Sequence, residues 1–430
     1  MVDPRPQPDS VAILSATVPY PPDSGKKIVI AGLVDYWRAR VGAENVHYVL
    51  LANPCEGEVD FPVPVVRVRR SGFPEQLAAV ALRTVATRRH TLQESMLYAR
   101  RVSAELGRLL VEIDADVEIY DTVRLGQYAA EFPVRRDERR VVYLDDLFSR
   151  RYARMRQAMR KHDGIRIDAL GEFRAIIPAP LRPLASAPVV QRALLRTEQV
   201  LMARREVGSA REFAACLLVN PEEAEHLAGH SGTNTVHAIP PLVANGRRPT
   251  RRDADGSRQF AFLGRMTLPH NHDAMAAFLA RQMPELLHRV PDVVLRIVGG
   301  GVASELQSLA ARWGDHVRID GYVADLDQVL ARSCAMVSPL RFGSGVKLKV
   351  LEALARGVPV ISTSVGAEGI ATGPDQGVLV EDDLDRHPLL MQWLTRQHVN
   401  ERMSQAARAH FDDTFSQEAV FRRYDDIFGF

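Results

Sequence analysis

Lys347, Lys349 and Glu352 are the side chains whose types and spacing offer the plainest chemistry in this sequence. They follow Gly343-Ser344-Gly345, which itself follows the apolar run Ala335-Met-Val-Ser338. An apolar run ended by Pro339 predicts a buried strand, the glycines let backbone approach a ligand closely, and a helix is expected from Val346. The free N–H groups and positive end of that helix favour an anion, whereas two ammonium groups in its first turn oppose the helix dipole. The chain has 55 lysines and arginines, of which only five are lysine: Lys26, Lys27, Lys161, Lys347 and Lys349. Two of these five fall in one turn, where a compact ammonium suits phosphate met as a point charge. The pattern predicts a grip for a nucleoside diphosphate, with backbone from Ser344, Gly345 and Val346 and charge from Lys347 and Lys349. Glu352 lies three residues after Lys349 and leans back toward the loop. Its carboxylate suits a ribose diol, an i,i+3 ion pair with Lys349, or both.

At 430 residues the chain exceeds one ordinary core and fits two α/β domains. Apolar content of 46% and charged content of 25% are those of a soluble globular protein. A net charge of +2 implies no general pull toward nucleic acid. Cys55, Cys216 and Cys334 are isolated and odd in number, which excludes a disulfide framework or cysteine zinc site and points to a reducing compartment, the cytoplasm by default. The proline-rich start lacks the apolar core of a secretory signal, and no run of about 18 apolar residues suggests a membrane span.

Short apolar runs at 11–15, 46–51, 117–120, 141–144 and 215–219 read as buried strands alternating with helical material, the pattern of a parallel sheet. Residues 240–256, with three prolines and two glycines, read as a linker. Runs at 259–263, 293–298, 317–319, 335–338 and 358–362 then build a second sheet. The fold class expected is α/β, with two doubly wound, Rossmann-like domains facing across a cleft. Arg150, Arg151, Arg154, Arg156, Arg160 and Lys161 share one helical stretch, which is either a solvated face or a weak peripheral contact with anionic lipid or a phosphorylated acceptor. Aromatics are not interleaved with these cations, so single-stranded nucleic acid is not expected.

Seven motifs occur in the order and spacing of a known family: Phe262-Leu-Gly-Arg-Met266, Pro269-His-Asn-His-Asp-Ala274, Ile297-Val-Gly-Gly-Gly301, Gly321-Tyr-Val-Ala-Asp325, Ser338-Pro-Leu-Arg-Phe-Gly343, Lys349-Val-Leu-Glu-Ala353 and Val365-Gly-Ala-Glu-Gly-Ile370. Over residues 260–372 the chain resembles glycosyltransferase family 4, the retaining group with the GT-B fold. Pro21-Pro-Asp-Ser-Gly-Lys26 resembles that family's first glycine-rich loop, with Lys26 where a second glycine is common. Arg140-Val-Val-Tyr-Leu-Asp-Asp146 resembles the strand that ends in acceptor-side polar residues.

The resemblance implies an acceptor-binding domain over 1–245, a nucleotide-sugar donor domain over 246–405, and a terminal helix over 406–430 crossing back with Phe415, Val420, Phe421 and Tyr424 as anchors. It implies transfer of a sugar from a nucleotide-sugar co-substrate to an acceptor hydroxyl on a polysaccharide, a lipid-linked sugar or a natural product, with no cofactor and no metal. Gly264 and Arg265 would meet the donor diphosphate, with Lys349 as second cation. Glu352 matches the ribose-holding glutamate of a family pair, and Ser344 stands where the first, sugar-recognising glutamate is usual. Glu368 would substitute near the hexose or merely brace a turn. Tyr322 and Val323 would contact the base or fill the loop. Gly25 would let the first loop approach the donor, with Lys26 nearby. Asp145 and Asp146 would orient an acceptor hydroxyl or cap the next helix. The rivals are a nucleotide-sugar epimerase of the same fold, a non-catalytic binding module, and an NAD-dependent oxidoreductase built on Val298-Gly-Gly-Gly301 with Asp320.

Overall fold

The computed structural model describes residues 7–22, 24–53, 60–134, 139–161, 187–243 and 258–430. Cys55, the prolines of 176–183 and most of the expected linker lie outside these residues. The chain divides into two compact units, Met1–Ile239 with Arg422–Phe430, and Pro240–Phe421.

The first unit is built on a parallel seven-stranded sheet: β1 (Val11–Ser15), β2 (Val46–Ala52), β3 (Val65–Arg69), β4 (Val117–Asp121), β5 (Arg139–Asp145), β6 (Ala215–Leu218) and β7 (Val236–Ala238). Their order is β3-β2-β1-β4-β5-β6-β7. Every residue of β1 and β4 is buried, because helices cover both faces of a parallel sheet and leave such strands no polar side. Strand order reverses between β1 and β4, and ligands in such sheets sit beyond the strand C-termini at that reversal. The helix Gly25–Val41 leaves this point and buries Val29, Ile30, Leu33, Val34, Tyr36 and Trp37.

The second unit holds a parallel six-stranded sheet: β8 (Gln259–Leu263), β9 (Val294–Val298), β10 (Val317–Gly321), β11 (Ser333–Ser338), β12 (Val360–Ser362) and β13 (Val378–Val380). Its order is β10-β9-β8-β11-β12-β13, with the reversal between β8 and β11. The strands absent from the sequence reading, β3, β7 and β13, are all sheet edges. Edge strands are short and half-exposed, so they lack a continuous apolar run; β3 reads VVRVR with only Val68 buried.

The division of the chain differs from the expected boundaries. The helix Gln397–Thr414 stays with the second unit, where Ala407, Phe411 and Phe415 join the core, and only Arg422–Phe430 belong to the first unit. There Tyr424 stacks on Tyr36 at 4.6 Å and Phe428 lies 4.7 Å from Trp37. Arg40 grips Asp425 through two hydrogen bonds of 2.8 Å, and Arg139 donates to the Phe428 carbonyl at 2.7 Å. Of the expected anchors, Tyr424 alone falls in this segment. Phe428 is 1% exposed, so its ring is core although it sits two residues before Phe430. Phe428→Ala is expected to destabilise the first unit by about 3–5 kcal/mol. Urea unfolding followed by Trp37 fluorescence measures this, and a loss below about 1 kcal/mol would show that the tail is not part of that core.

Candidate active site

In the second unit, β11 ends at Ser338 and the loop through Gly343-Ser344-Gly345 leads to the helix Leu348–Ala355. The helix starts at Leu348 rather than Val346, because Lys347 is extended (φ −90°, ψ 100°) and serves as N-cap. No side chain among the described residues caps this end, so its first N–H groups lack a side-chain acceptor there. Val346 packs against the core below, and Gly345 turns with φ +77°.

The two lysines diverge. Lys347 is buried, donates to the Gly345 carbonyl at 2.5 Å and lies 3.9 Å from the buried Glu368 carboxylate. The Lys349 ammonium donates to Asn271 Oδ1 at 2.9 Å and sits 4.2 Å from the centre of the Phe262 ring. Asn271 in turn donates to the Arg265 carbonyl at 3.0 Å. A single chain of contacts therefore joins the helix start to the turn after β8, where Gly264 leads to the exposed Arg265. The turn is tight. A Cβ on Gly299 would lie 1.9 Å from the Gly264 carbonyl oxygen, so glycine at the end of β9 is required by the approach of these two backbones.

Burial, and then the neighbouring Lys347, push the Lys349 ammonium down to about 7. Burial and the same two lysines push His270 down to about 4. This corner is short of negative charge. Glu352 does not supply it: its carboxylate takes Arg356 at i,i+4 (2.5 Å), and Arg356 also binds Asp327 at 2.6 Å. The i,i+3 pair with Lys349, one of the two roles expected for Glu352, is thus replaced, since the ammonium turns to Asn271 and the guanidinium one turn on takes one Glu352 oxygen. Tyr322 is 85% exposed, while Val323 packs on the core, which fits loop filling for Val323.

In the first unit, Gly25 opens its helix and Lys26 turns inward. Its ammonium lies 2.5 Å from Asp121 Oδ1 and 3.6 Å from Asp145 Oδ2, with the Tyr143 ring 5.5 Å away. Ser15 Oγ donates to the other Asp121 oxygen at 2.6 Å. Lys26, expected near the donor, is held by two carboxylates at the ends of β4 and β5. Asp145 is raised above the ordinary carboxylate range by burial, against the opposing pull of Lys26. Asp146 is tied to Arg151 of the helix Phe148–Lys161. Asp145 (φ +73°) and Thr122 (φ +64°), at neighbouring strand ends, both adopt left-handed backbone, which is costly for a β-branched residue. The sequence reading missed Asp121 and Ser15. An aspartate closing the apolar run Val117–Tyr120 was the available signal.

A family model described as glycosyl transferases group 1 matches residues 257–387, the stretch that holds the lysine corner. These residues form a glycosyl transferases group 1 domain. The chain is 35% identical over 132 residues to a phosphatidyl-myo-inositol mannosyltransferase of Mycolicibacterium smegmatis, covering 30% of this chain and 33% of that protein. It is 32% identical over 160 residues to a GDP-mannose-dependent monoacylated alpha-(1-6)-phosphatidylinositol monomannoside mannosyltransferase of Corynebacterium glutamicum, covering 35% and 42%. The match thus spans between a third and two fifths of these relatives. The solved structure of Anabaena HepE in complex with UDP aligns over 98% of this chain and 99% of its own, with a TM-score of 0.61 at 13% identity. That likeness is one of fold, and the fold is GT-B.

The group 1 domain brings Gly264, Arg265, Ser344, Gly345, Lys347, Lys349, Glu352, Glu368, Tyr322 and Val323 into one unit; Gly25, Lys26, Asp145 and Asp146 belong to the other. In the group 1 domain, an anion at the Leu348 end would relieve the repulsion between Lys347 and Lys349 and restore the Lys349 proton. The linkage has a definite sign. The folded pKa of Lys349 lies below its unfolded value, so the unfolded chain binds the extra proton between about pH 7 and 10, and stability rises with pH across that window. Lys349→Met is therefore expected to raise the thermal midpoint of the ligand-free protein at pH 6–7 while weakening diphosphate binding at least about tenfold. Melting curves with and without UDP at pH 6 and pH 9 test both parts; a variant less stable at pH 6, or one that binds UDP as the parent does, contradicts the assignment.

Proposed function

We propose that this protein is a retaining, metal-independent glycosyltransferase that moves a sugar from a nucleoside-diphosphate sugar to an acceptor hydroxyl. The observation that carries the reading is the Lys349 ammonium, buried beside a second lysine at a helix start without a side-chain cap and answered among the described residues by the neutral Asn271 amide and the Phe262 ring face. A leaving diphosphate gains negative charge as the sugar departs, and preformed cations and N–H groups at that place stabilise the transition state more than the ground state. Arg265 and Lys349 are the two cations on this reading, and the Asn271 link fixes their spacing. Glu352 sits about 6 Å along the axis from Leu348, held at one oxygen by Arg356, with the other left for a ribose hydroxyl. Ser344 cannot recognise the hexose as a carboxylate would, so that contact falls to backbone N–H groups and Glu368.

The leaving phosphate assists attack from the same face, so Asp145 positions the acceptor without being a strong base. The mannosyltransferases that match the group 1 domain favour a lipid-linked acceptor over a polysaccharide or small natural product. The cytoplasm is where nucleotide sugars would meet it. The oxidoreductase alternative is disfavoured because it leaves the paired lysines of the Leu348 helix start without a role.

Arg265→Ala and Lys349→Ala should each weaken UDP or GDP binding roughly tenfold to a hundredfold, as loss of a charge-assisted contact of about 1.5–3 kcal/mol requires. Calorimetric titration reads this directly, and transfer should persist in excess chelator. Unchanged affinity in both variants, or a strict need for divalent metal, would overturn the donor site.

The first unit generates a separate expectation. Lys26 lowers the Asp145 pKa, so Lys26→Met raises it further, and the acid limb of the rate profile should move to higher pH while nucleotide affinity stays near that of the parent. A rate loss with no movement of that limb would make Lys26 a structural brace only.

A further inference from the structure

The segment after β3 in the first unit is amphipathic with its polarity inverted. A helix over Phe73–Ala79 runs on through Val80–Ala86 in wider π-type turns. Its polar side chains face the unit. Glu75 accepts from the Gly72 N–H at 2.7 Å and pairs with Arg101 at 3.2 Å, and Gln76 donates to the Ser71 carbonyl at 2.8 Å. Arg83 lies 3.5 Å over the Tyr98 ring and donates to Gln127 at 3.1 Å, and Thr84 donates to Ser95 Oγ at 2.8 Å. The apolar side chains face solvent: Phe73 is 45% exposed, Leu77 60%, Leu82 60% and Val85 67%. Ala78, Ala81 and Ala86 are exposed with them, and steps of three and four residues put the set on one face. Scattered exposed apolar residues need no explanation, but a continuous stripe of them does.

The surroundings say what covers it. Residues 61–101 contain eight arginines and only two acids, Glu75 and Glu94. Both acids are neutralised within the protein, Glu75 by Arg101 and Glu94 by Arg205 at 2.8 Å. Arg88 and Arg89 are exposed directly after the stripe, and Arg67 and Arg69 are exposed on the edge strand β3. An apolar band rimmed by guanidinium groups matches an anionic bilayer surface, where acyl chains meet the band and headgroup phosphates meet the rim. No helix among the described residues is long and apolar enough to cross a membrane. The 150–161 stretch suits this role less well, since Arg151 is held by Asp146 and Arg156 donates to Gln199 at 2.5 Å.

We infer that the 73–86 face docks the first unit on an anionic membrane surface, with Phe73, Leu77, Leu82 and Val85 at the acyl boundary and Arg88 and Arg89 among the headgroups. The inference does not depend on the donor site. The test is co-sedimentation of the full chain with vesicles of phosphatidylcholine containing roughly 30% phosphatidylglycerol, and with phosphatidylcholine alone. The parent should bind the anionic vesicles, and less so in high salt. L77S/V85S should partition at least about tenfold more weakly, and R88S/R89S several-fold more weakly on anionic vesicles only, each with an unchanged thermal midpoint. Failure of the parent to sediment with anionic vesicles overturns the inference, as does equal binding by parent and both variants. A parent that is dimeric by light scattering, made monomeric by L77S/V85S and indifferent to vesicles, also overturns it and assigns the stripe to self-association.

Discussion

Both units answer to one constraint: a central strand of a parallel sheet must be covered on both faces. Once helices cover both sides, the connections from the two innermost strands must leave in opposite directions, and a gap opens at their C-terminal ends. In the first unit that gap lies beyond β1 and β4, and in the second beyond β8 and β11. Interiors at 0% exposure, such as Ile13 and Phe262, admit a polar group elsewhere along these strands only where it is paired, as Glu118 of β4 is with Arg140. The residues able to do chemistry are therefore concentrated at the two gaps.

The two gaps are charged differently. Beyond β4 and β5, Lys26 is matched by Asp121 and Asp145 at short range, and Ser15 completes the set. This arrangement is internally compensated, suited to fixing groups in place. Beyond β8 and β11, Lys349 has, among the described residues, the amide of Asn271 and the face of Phe262, with Lys347 adding repulsion. This second arrangement leaves the Lys349 charge without a carboxylate partner among the described residues.

Much of this was legible in the residues. Continuous apolar runs marked the interior strands of both sheets, and the scarcity of lysine against 55 basic residues marked the turn where Lys347 and Lys349 meet. What escaped was set by context. Edge strands β3, β7 and β13 have little burial to write into their sequence. Glu352 chose Arg356 over Lys349 because tertiary contacts drew Lys349 toward Asn271, a residue 78 positions away in sequence. Asp121 was missed because nothing local separates a strand-end aspartate that binds a lysine from one that caps a helix. Lys26 was placed by analogy with a glycine loop, yet a long flexible ammonium finds nearby carboxylates that glycine cannot.

The tail has a consequence for how this chain can be recombined. Because Arg422–Phe430 complete the first unit, that unit is split in sequence, and the continuous second unit, Pro240–Phe421, lies between its two parts. A chimera that exchanges everything after Ile239 would also exchange the rings that cover Tyr36 and Trp37. Any donor of a second unit must therefore bring a matching tail, or the host must keep its own. Along the gene, the first and last parts of this protein are constrained to change together across the length of everything between them.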